Sequence, residues 1–253
     1  MPRRPALCAG ALSGTLGYIR RCMRAKVLLF AGCLASSGWA LGGDLTGTVL
    51  YSGAPPERPK LPVTIDQYIC GKEKDAEDLV LGPKRGVQNA VVWIENPGPD
   101  AKWPAQMPKV EMDQKGCVFV PRVVLVPVGG TVDFLNSDRL LHNLHSISKE
   151  NPEFNRTQPR NRTIPITFTK PEVVTITCDL HSWMKSWVVV AEHPFYAVTD
   201  ATGAYRIANV PPGKYRVRMW QEALGQTTRE VTVGPQGGAA EFNLKTLAPK
   251  KKP

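Results

Sequence analysis

The stretch EVVTITCDLHSWMKSWVVVAE, residues 172–192, holds two strand-like runs on either side of a short segment rich in metal-binding side chains. Val, Ile, Thr and Trp dominate EVVTITC and SWVVVAE, a composition that favours β-strands. Between the runs, Cys178, His181 and Met184 fall within seven positions. A thiol, an imidazole and a thioether on one short connection between strands indicate a candidate metal site on a β framework.

Runs of the same composition recur along the chain and are bounded by turn-forming residues. The chain has 23 Pro and 22 Gly in 253 residues, which suits many short strands better than long helices. The clearest runs are LTGTVLYSG (45–53), VQNAVVWIE (87–95), CVFVPRVVLVPVGGTVDFLN (117–136) and RTIPITFT (162–169). We therefore expect an all-β protein built on a Greek-key sandwich.

The sequence after Phe195 predicts a second, smaller β unit. VTDATGAYRIANVPPGKYRVRMW, residues 198–220, alternates apolar and polar residues on both sides of a Pro-Pro-Gly turn. A unit of about sixty residues has little core of its own. We expect it to lean on the first domain or to take an extra strand, such as residues 45–53.

Residues 1–42 have the order of a signal peptide. A basic segment, MRAK, precedes an apolar core, VLLFAGCLA, and then a stretch of small residues. Met23 is a plausible true start, and we expect cleavage after Ala40 or Gly42. A weak twin-arginine match, RRCMRAK, would instead keep Met1 as the start.

The leader predicts an exported, periplasmic protein, in which disulfides persist. FAGC, residues 30–33, is a weak lipobox that would place a lipid on Cys33. We expect contact with a membrane only in that lipidated form.

The net charge of +10 comes mostly from the two ends of the chain. Without residues 1–40, the chain has 26 basic and 22 acidic residues, and residues 250–252 supply three of the remaining excess charges. A nucleic-acid-binding protein would need a basic stripe with interleaved aromatic residues. The body has no such stripe, so we expect no nucleic-acid partner.

Three of the six cysteines remain after the leader is set aside: Cys70, Cys117 and Cys178. An odd number in an exported protein leaves one thiol for another task. We expect Cys70 and Cys117 to pair, although the sequence alone does not fix this connectivity. Metal coordination would hold Cys178 as a thiolate and protect it from oxidation.

Three of the four histidines lie close to these segments. His142 and His145 occur in LLHNLHS and His181 in CDLHSWM, whereas His193 lies beside a proline at a domain junction and is expected to be structural. Two imidazoles, a thiolate and a weak axial thioether are the ligands of blue-copper electron-transfer sites. A zinc site is the chemical alternative, since zinc also accepts nitrogen and sulfur.

The segments VPVGGTVDFLNSDRLLHNLHS, residues 126–146, and 164–192 resemble the two signature halves of a cupredoxin. The Cys-x2-His-x2-Met spacing is similar to the short ligand loop of amicyanin. This resemblance covers residues 107–192. It implies one type 1 copper ion, with His142 as the first ligand and Cys178, His181 and Met184 as the others.

The same resemblance implies roles around the metal. Asn143 would tie the two ligand-bearing segments together, and His145 would be a neighbouring partner, a proton-linked switch or an alternative ligand. Trp183 would cover the site, face a redox partner or simply fill the core. We hypothesise that Cys178 carries the electronic coupling and that His181, nearer the surface, is the exit for electrons.

TDATGAYRIANVPPGKYRV, within the C-terminal unit, resembles the carboxypeptidase regulatory-like (transthyretin-like) sandwich. The sequence therefore predicts successive regions after the leader. They are a β-rich N-terminal elaboration (43–105), a cupredoxin copper domain (106–193), a small transthyretin-like or Ig-like sandwich (194–246) and a basic tail (247–253).

The function predicted from these features is that of a periplasmic carrier of single electrons. Its partners would be redox proteins such as a cytochrome or a dehydrogenase. One alternative is a copper-handling or copper-sensing protein without electron relay, and another is a surface- or carbohydrate-binding module on a cupredoxin scaffold. We do not expect an enzyme, because the motifs of hydrolases, zinc proteases and phosphate-binding loops are absent from the sequence.

Overall fold

The structure is a computed structural model that describes residues 42–54, 56–57, 59–99 and 101–248. The predicted leader and most of the predicted basic tail lie outside the described residues. The strands are β1 (Gly43–Tyr51), β2 (Lys60–Pro62), β3 (Glu73–Asp75), β4 (Val91–Ile94), β5 (Val110–Gln114), β6 (Phe119–Val120), β7 (Val123–Pro127), β8 (Thr131–Asn136), β9 (His142–Ile147), β10 (Asn155–Gln158), β11 (Ile164–Thr167), β12 (Glu172–Thr177), β13 (Lys185–Ala191), β14 (Tyr196–Val198), β15 (Ala204–Val210), β16 (Gly213–Gln221), β17 (Gly225–Val233), β18 (Gly238–Ala239) and β19 (Phe242–Leu244).

Helical structure is confined to short pieces. A four-residue α-helix, α1, spans Gln67–Cys70, and a 3-10 turn spans Pro83–Arg85. None of the helices in the described part of the chain has the length and hydrophobicity needed to cross a bilayer. The all-β class predicted from the sequence is confirmed.

Nine strands form a first sandwich that includes residues 172–192. One sheet has the order β10-β9-β12-β13-β7, and the facing sheet has the order β11-β8-β5-β6. Val174 and Ile176 of β12 are fully buried, while their neighbours along the strand are half-buried, because alternate side chains point to opposite faces. These two side chains join Phe134 and Leu144 in the core between the sheets.

Strands β12 and β13 pair antiparallel, with Val174 opposite Val188, so the connection between them returns to the same edge of the sandwich. β9 pairs with the other side of β12, with His145 opposite Thr177. The start of β9 and the end of β12 therefore meet at one end of the sandwich. This geometry brings the segment that carries His142 next to the segment that carries Cys178.

A second sandwich combines strands from the two ends of the described chain. β1 lies between β15 and β18 and also pairs with β19, while the other sheet has the order β14-β4-β16-β17. Tyr215, Val217 and Met219 alternate along β16 and point into its core. Strands β1 and β4 come from the range 43–105, which the sequence assigned to a separate elaboration. They complete the C-terminal sandwich because its own strands are too few to bury a core.

The two sandwiches contact each other through a small apolar layer and a buried ion pair. Val91, Val123 and Val189 form the buried part of the layer. The guanidinium of Arg122 lies 2.5 Å from the carboxylate of Glu222, and the side chains are only 9% and 7% exposed.

Residues 60–75, which we call the covering segment, lie against the first sandwich. β2 and β3 pair within this segment, and α1 lies between them. A disulfide joins Cys70, at the end of α1, to Cys117, and their Cα atoms are 5.4 Å apart. Lys74 donates a hydrogen bond to the carbonyl of Gly116 at 2.7 Å, and Val63 packs into the core of the sandwich.

Candidate metal centre

The thiol of Cys178 and the rings of His142 and His181 converge at the end of the first sandwich. The two Nδ1 atoms are 3.0 Å apart, and the Cys178 Sγ lies 3.5 Å from that of His181 and 4.0 Å from that of His142. Both histidines are fully buried, and Cys178 is 2% exposed. Of the cysteines that the structure describes, Cys178 alone is free.

The loop after β12 carries three of the four predicted ligands, and Cys178 and His181 reach this point. Cys178 directly follows β12, and Met184 directly precedes β13. The loop is closed by two backbone hydrogen bonds, one from the Met184 N–H to the His181 carbonyl at 2.9 Å and one from the Cys178 N–H to the Met184 carbonyl at 3.4 Å. The Met184 side chain is 1% exposed and packs in the same core as Cys178.

The structure brings His142, and not His145, to the cluster. His142 is the first residue of β9 rather than part of a turn, and its ring points inward. His145 lies on the same strand, but 36% of its side chain is exposed, and its Nδ1 contacts Asp179 Oδ1 at 2.8 Å. The strand geometry therefore separates the two histidines that the sequence pattern could not distinguish without the resemblance.

Each clustered imidazole has a carboxylate at its other nitrogen. His142 Nε2 lies 2.8 Å from Asp138 Oδ2, and His181 Nε2 lies 3.1 Å from Asp66 Oδ2. A carboxylate only accepts hydrogen bonds, so these contacts assign the ring proton to Nε2 in both histidines. The Nδ1 atom of each ring is then left with a bare lone pair.

Two lone pairs that face each other at 3.0 Å repel, and a sulfur atom 3.5 Å from one of them adds further electron density. A cation between the three atoms converts this repulsion into attraction. Metal–nitrogen and metal–sulfur bonds of about 2.0–2.3 Å place neighbouring ligand atoms roughly 3–4 Å apart. The three separations fit that range, so the donor set fits a bound metal ion.

Asn143 connects the two segments that carry the cluster. Its backbone N–H donates to the Cys178 sulfur at 3.3 Å, and its side-chain oxygen accepts from the Asp179 N–H at 3.0 Å. Its side-chain amide also donates to Asn155 on the neighbouring strand β10. These contacts fix the distance between the start of β9 and the ligand loop.

Trp183 covers one side of the cluster from within the ligand loop. Its ring centroid lies 5.1 Å from that of His181, and its indole N–H donates to the Cys117 carbonyl at 2.9 Å. The side chain is partly buried and packs against the core of the first sandwich. Trp183 therefore links the ligand loop to the disulfide-bonded residue Cys117.

Burial affects the protonation of two members of the cluster, Cys178 and His142. It raises the pKa of the Cys178 thiol, although the N–H of Asn143 opposes this effect. Burial also lowers the pKa of His142, although the hydrogen bond with Asp138 opposes that change. His142 is therefore neutral at pH 7, which is the form that binds a metal ion.

The position of His181 corrects one expectation from the sequence. His181 is fully buried, whereas the sequence analysis placed it nearer the surface as the exit for electrons. The covering segment explains the difference, since its Asp66 lies directly on the outer nitrogen of the ring. The range 43–105, which had no functional interpretation, thus contributes a residue to the site.

Neither carboxylate was predicted from the sequence. Asp138 is four residues before His142, which is a spacing that could have suggested a contact. Asp66 is 115 residues from His181 and has no local signal. The expected pairing of Cys70 with Cys117 was the available hint, because it ties α1 to the first sandwich.

Two other features lie away from the cluster. His193 is buried between the rings of Phe195 and Tyr196, in a packing role. A surface cavity of about 950 Å³ is lined by Trp187, Trp220 and residues around them.

Comparison with protein families gives one partial match. The model for polysaccharide lyase family 4, domain II, matches residues 173–241, from β12 to the end of β18 and just beyond. This range includes most of the predicted transthyretin-like unit, whose assignment stays a prediction. No curated protein matches the chain.

Comparison with solved structures finds copper proteins that are similar to parts of the chain. A copper-containing nitrite reductase from Thermus scotoductus SA-01 is 28% identical with a TM-score of 0.32, over 38% of this chain and 25% of the reductase. A purple cupredoxin from Nitrosopumilus maritimus is 22% identical with a TM-score of 0.30, over 33% of this chain and 100% of the cupredoxin. A reduced amicyanin variant is 22% identical with a TM-score of 0.31, over 40% of this chain and 98% of amicyanin. The chain thus spans a quarter of the length of the nitrite reductase.

Proposed function

We propose that the chain binds one copper ion of type 1 through His142, Cys178 and His181, with Met184 as a weak axial ligand, and that it carries single electrons between redox proteins. The observation that carries this proposal is the convergence of two Nδ1 lone pairs and a thiol in a buried cluster. Thiolate and thioether suit Cu(I), and imidazole suits both oxidation states of copper. Bound copper would supply the one-electron exchange between Cu(I) and Cu(II).

The residues of the chain hold the donor atoms still. Asp66 and Asp138 fix the two rings, and the N–H of Asn143 fixes the sulfur of Cys178. Donors that keep their positions in both oxidation states lower the reorganisation energy of electron transfer. Such outer contacts also orient the ligands and adjust their basicity.

The covering segment determines which surface an electron partner would meet. Asp66 lies over His181, so a partner would contact this segment and not an imidazole edge. Tyr68, two residues from Asp66, is 81% exposed on that segment. We propose that the partner, such as a cytochrome or a dehydrogenase, docks there, and that the protein works in the periplasm without catalysing a reaction of its own.

One observation favours a second candidate function. The complete burial of His181 would slow electron exchange with a partner, and it would protect a bound ion from loss. A copper-holding protein without electron relay uses the same ligands. The two functions differ in whether the bound ion cycles reversibly between oxidation states.

The test is a visible absorption spectrum of the protein reconstituted with Cu(II), recorded before and after reduction with ascorbate and reoxidation. We expect an intense thiolate-to-copper band that bleaches and returns. Cys178→Ala and His142→Ala should abolish the band, whereas the matched His145→Ala should keep it. A band that does not return after reoxidation would support the copper-holding function. A colourless protein would overturn copper binding through Cys178.

A further inference from the structure

Cys117 is linked to the carboxylates that hold both clustered histidines, Asp66 and Asp138. Its disulfide with Cys70 holds the covering segment, and with it Asp66, over the site. Its backbone N–H donates to Asp138 Oδ2 at 2.8 Å, and the same oxygen lies 2.8 Å from His142 Nε2. Breaking the disulfide would therefore alter the surroundings of both histidines, because Cys117 is linked to Asp66 through the covering segment and to His142 through Asp138.

A second group of donor atoms also includes the ring of His142. The sulfur of Cys117, a carboxylate oxygen of Asp138 and a ring nitrogen of His142 all lie within 4.8 Å of one another. All three residues are buried. The imidazole of His142 thus lies between two clusters, with Nδ1 directed to Cys178 and Nε2 directed to Asp138.

The disulfide keeps this second cluster inactive, because a sulfur atom in a disulfide is not a thiolate ligand. A dithiol donor changes this by thiol–disulfide exchange. The donor gives two electrons and two protons and becomes a disulfide, while Cys70 and Cys117 become thiols. A Cu(I) ion then replaces the proton of the Cys117 thiol, and that proton passes to solvent. The Nε2 proton of His142 moves to Nδ1 of the same ring, so that Nε2 offers its lone pair to the ion.

We propose that, in the protein reduced by a dithiol, Cys117, Asp138 and the outer nitrogen of His142 form a second metal site that takes up Cu(I). This inference rests on the proposed copper function, because it assigns the second site to loading of the first. Re-formation of the disulfide by an oxidised dithiol carrier removes the thiolate of Cys117, and the ion must then leave. The proton of His142 returns to Nε2, and Nδ1 again offers its lone pair on the side of the main centre.

The donor atoms of the second site favour Cu(I), a soft monovalent ion. A thiolate and an imidazole are shared with known Cu(I) and Zn(II) ligand sets. The free cysteine of the main centre, Cys178, lies on the other side of the same ring, 4.0 Å from Nδ1, so an ion passing between the clusters would meet a sulfur donor on each side. Sulfur donors on both sides of the path favour Cu(I) over harder divalent ions.

The test uses two full-length variants that lack both the disulfide and the main thiol. Both carry Cys178→Ala and serine at Cys8, Cys22 and Cys33. One also carries Cys70→Ser and keeps the Cys117 thiol, while the other carries Cys117→Ser and keeps the Cys70 thiol. Each variant therefore has one thiol, and only one of them has it beside His142.

Cu(I) binding is measured anaerobically by competition with bicinchoninate, and folding is checked by circular dichroism. We expect one Cu(I) ion per chain in the variant that keeps Cys117, with an affinity at least about tenfold higher than in its partner. Adding His142→Gln should remove this difference. Equal affinities in the two variants would overturn the proposal.

A second measurement avoids the disulfide variants altogether. The variant with Cys178→Ala, serine at Cys8, Cys22 and Cys33 and an intact disulfide should bind no Cu(I) tightly, and the same protein reduced by a phosphine and desalted should bind one ion. Uptake that is unchanged by reduction would contradict the second site. Failure of the main copper site is separate, because it would show as a missing thiolate band in the disulfide-bonded protein that keeps Cys178.

Discussion

Asp66 is the residue through which a distant part of the chain enters the metal centre. Its backbone has a left-handed conformation, with φ of 57°, at the start of α1. Non-glycine residues rarely adopt this conformation, although Asp and Asn do so more readily than most. Its carboxylate then reaches His181, whose ring it holds in the tautomer that presents Nδ1 to the cluster.

We expect Asp66→Asn to weaken copper binding about 10- to 100-fold and to raise the midpoint potential. The potential should rise because loss of a negative charge near the ion disfavours Cu(II) relative to Cu(I). Affinity is measured by chelator competition and the potential by voltammetry. Asp75→Asn is the matched control, because Asp75 lies on the same covering segment, is 67% exposed and contacts Lys60 rather than a ligand. Equal effects of the two substitutions would contradict the role of Asp66.

At this scale the sequence predicted the ligands better than their surroundings. Cys178, His181 and Met184 are close in the chain, so their spacing alone indicated a joint role. Only the resemblance to a cupredoxin distinguished His142 from His145 as the expected ligand. Asp66 could not be predicted, because no periodicity or spacing relates residues 115 positions apart.

At the scale of elements, Glu172 fastens a loop to the start of β12. Its carboxylate accepts hydrogen bonds from the backbone N–H groups of Lys149, Glu150 and Asn151 and from the hydroxyl of Ser148. Although partial burial opposes the change, these bonds lower the pKa of Glu172 to about 2. The loop between β9 and β10 is thereby held against the strand that leads to Cys178.

Glu172→Gln should lower the free energy of unfolding at pH 7 by about 1–2 kcal/mol, since hydrogen bonds to a charged group are stronger than neutral ones. The pKa is lower in the folded state, so this stabilisation is complete above pH 4.5 and is lost as the pH falls through about 2. Urea unfolding of both proteins at pH 7, 4 and 2 measures it. Glu150→Gln, in the same loop and exposed, is the control and should have little effect. A difference that stays constant down to pH 2 would contradict this role.

Six strands of the first sandwich were predictable because their residues alternate or cluster in long apolar runs: β6, β7, β8, β11, β12 and β13. Strands β5, β9 and β10 lie outside those runs. Residues 117–136, for example, contain β6, β7 and β8, separated at Pro121 and at Gly129, whose φ of 81° suits a tight turn. The covering segment was not predictable. Its three elements are three or four residues long, which is too short for a periodic pattern.

At the scale of the whole molecule, a buried ion pair joins the two sandwiches. Arg122 precedes β7 in the first, and Glu222 follows β16 in the second. Glu222 also accepts a hydrogen bond from Lys185 at 3.1 Å, and Arg122 donates to the Lys185 carbonyl at the same distance. The start of β13 is therefore part of this junction.

Glu222→Ala should lower the free energy of unfolding by about 3–5 kcal/mol, because it leaves the buried guanidinium of Arg122 without its closest partner. Chemical unfolding followed by circular dichroism measures this loss. The control is Glu111→Ala, which removes an exposed partner of Lys109 and should change the free energy by less than about 1 kcal/mol. A loss of free energy of unfolding in Glu222→Ala as small as that in Glu111→Ala would show that the junction contributes little.

The sequence revealed the order of domains only in part. It named residues 45–53 as an extra strand that the C-terminal unit could take, and β1 takes that place, but nothing in the sequence assigned β4 to this sandwich. Strand patterns show where strands are, but they do not show which strands pair across long separations. Strands β1 and β4 precede the first sandwich in the chain but belong to the second. Residues 110–191, which form the first sandwich, are therefore inserted between strands of the second.

The position of β1 has a consequence for the time course of folding. It pairs with β19, and Thr48 bonds to Glu241, which is 193 residues later. The second sandwich therefore cannot close until residues 238–244 have left the ribosome, whereas every strand of the first is made earlier. Contacts this distant in sequence form slowly. We expect refolding kinetics with a fast step for the inserted sandwich and a slow step in which β1 meets β18 and β19.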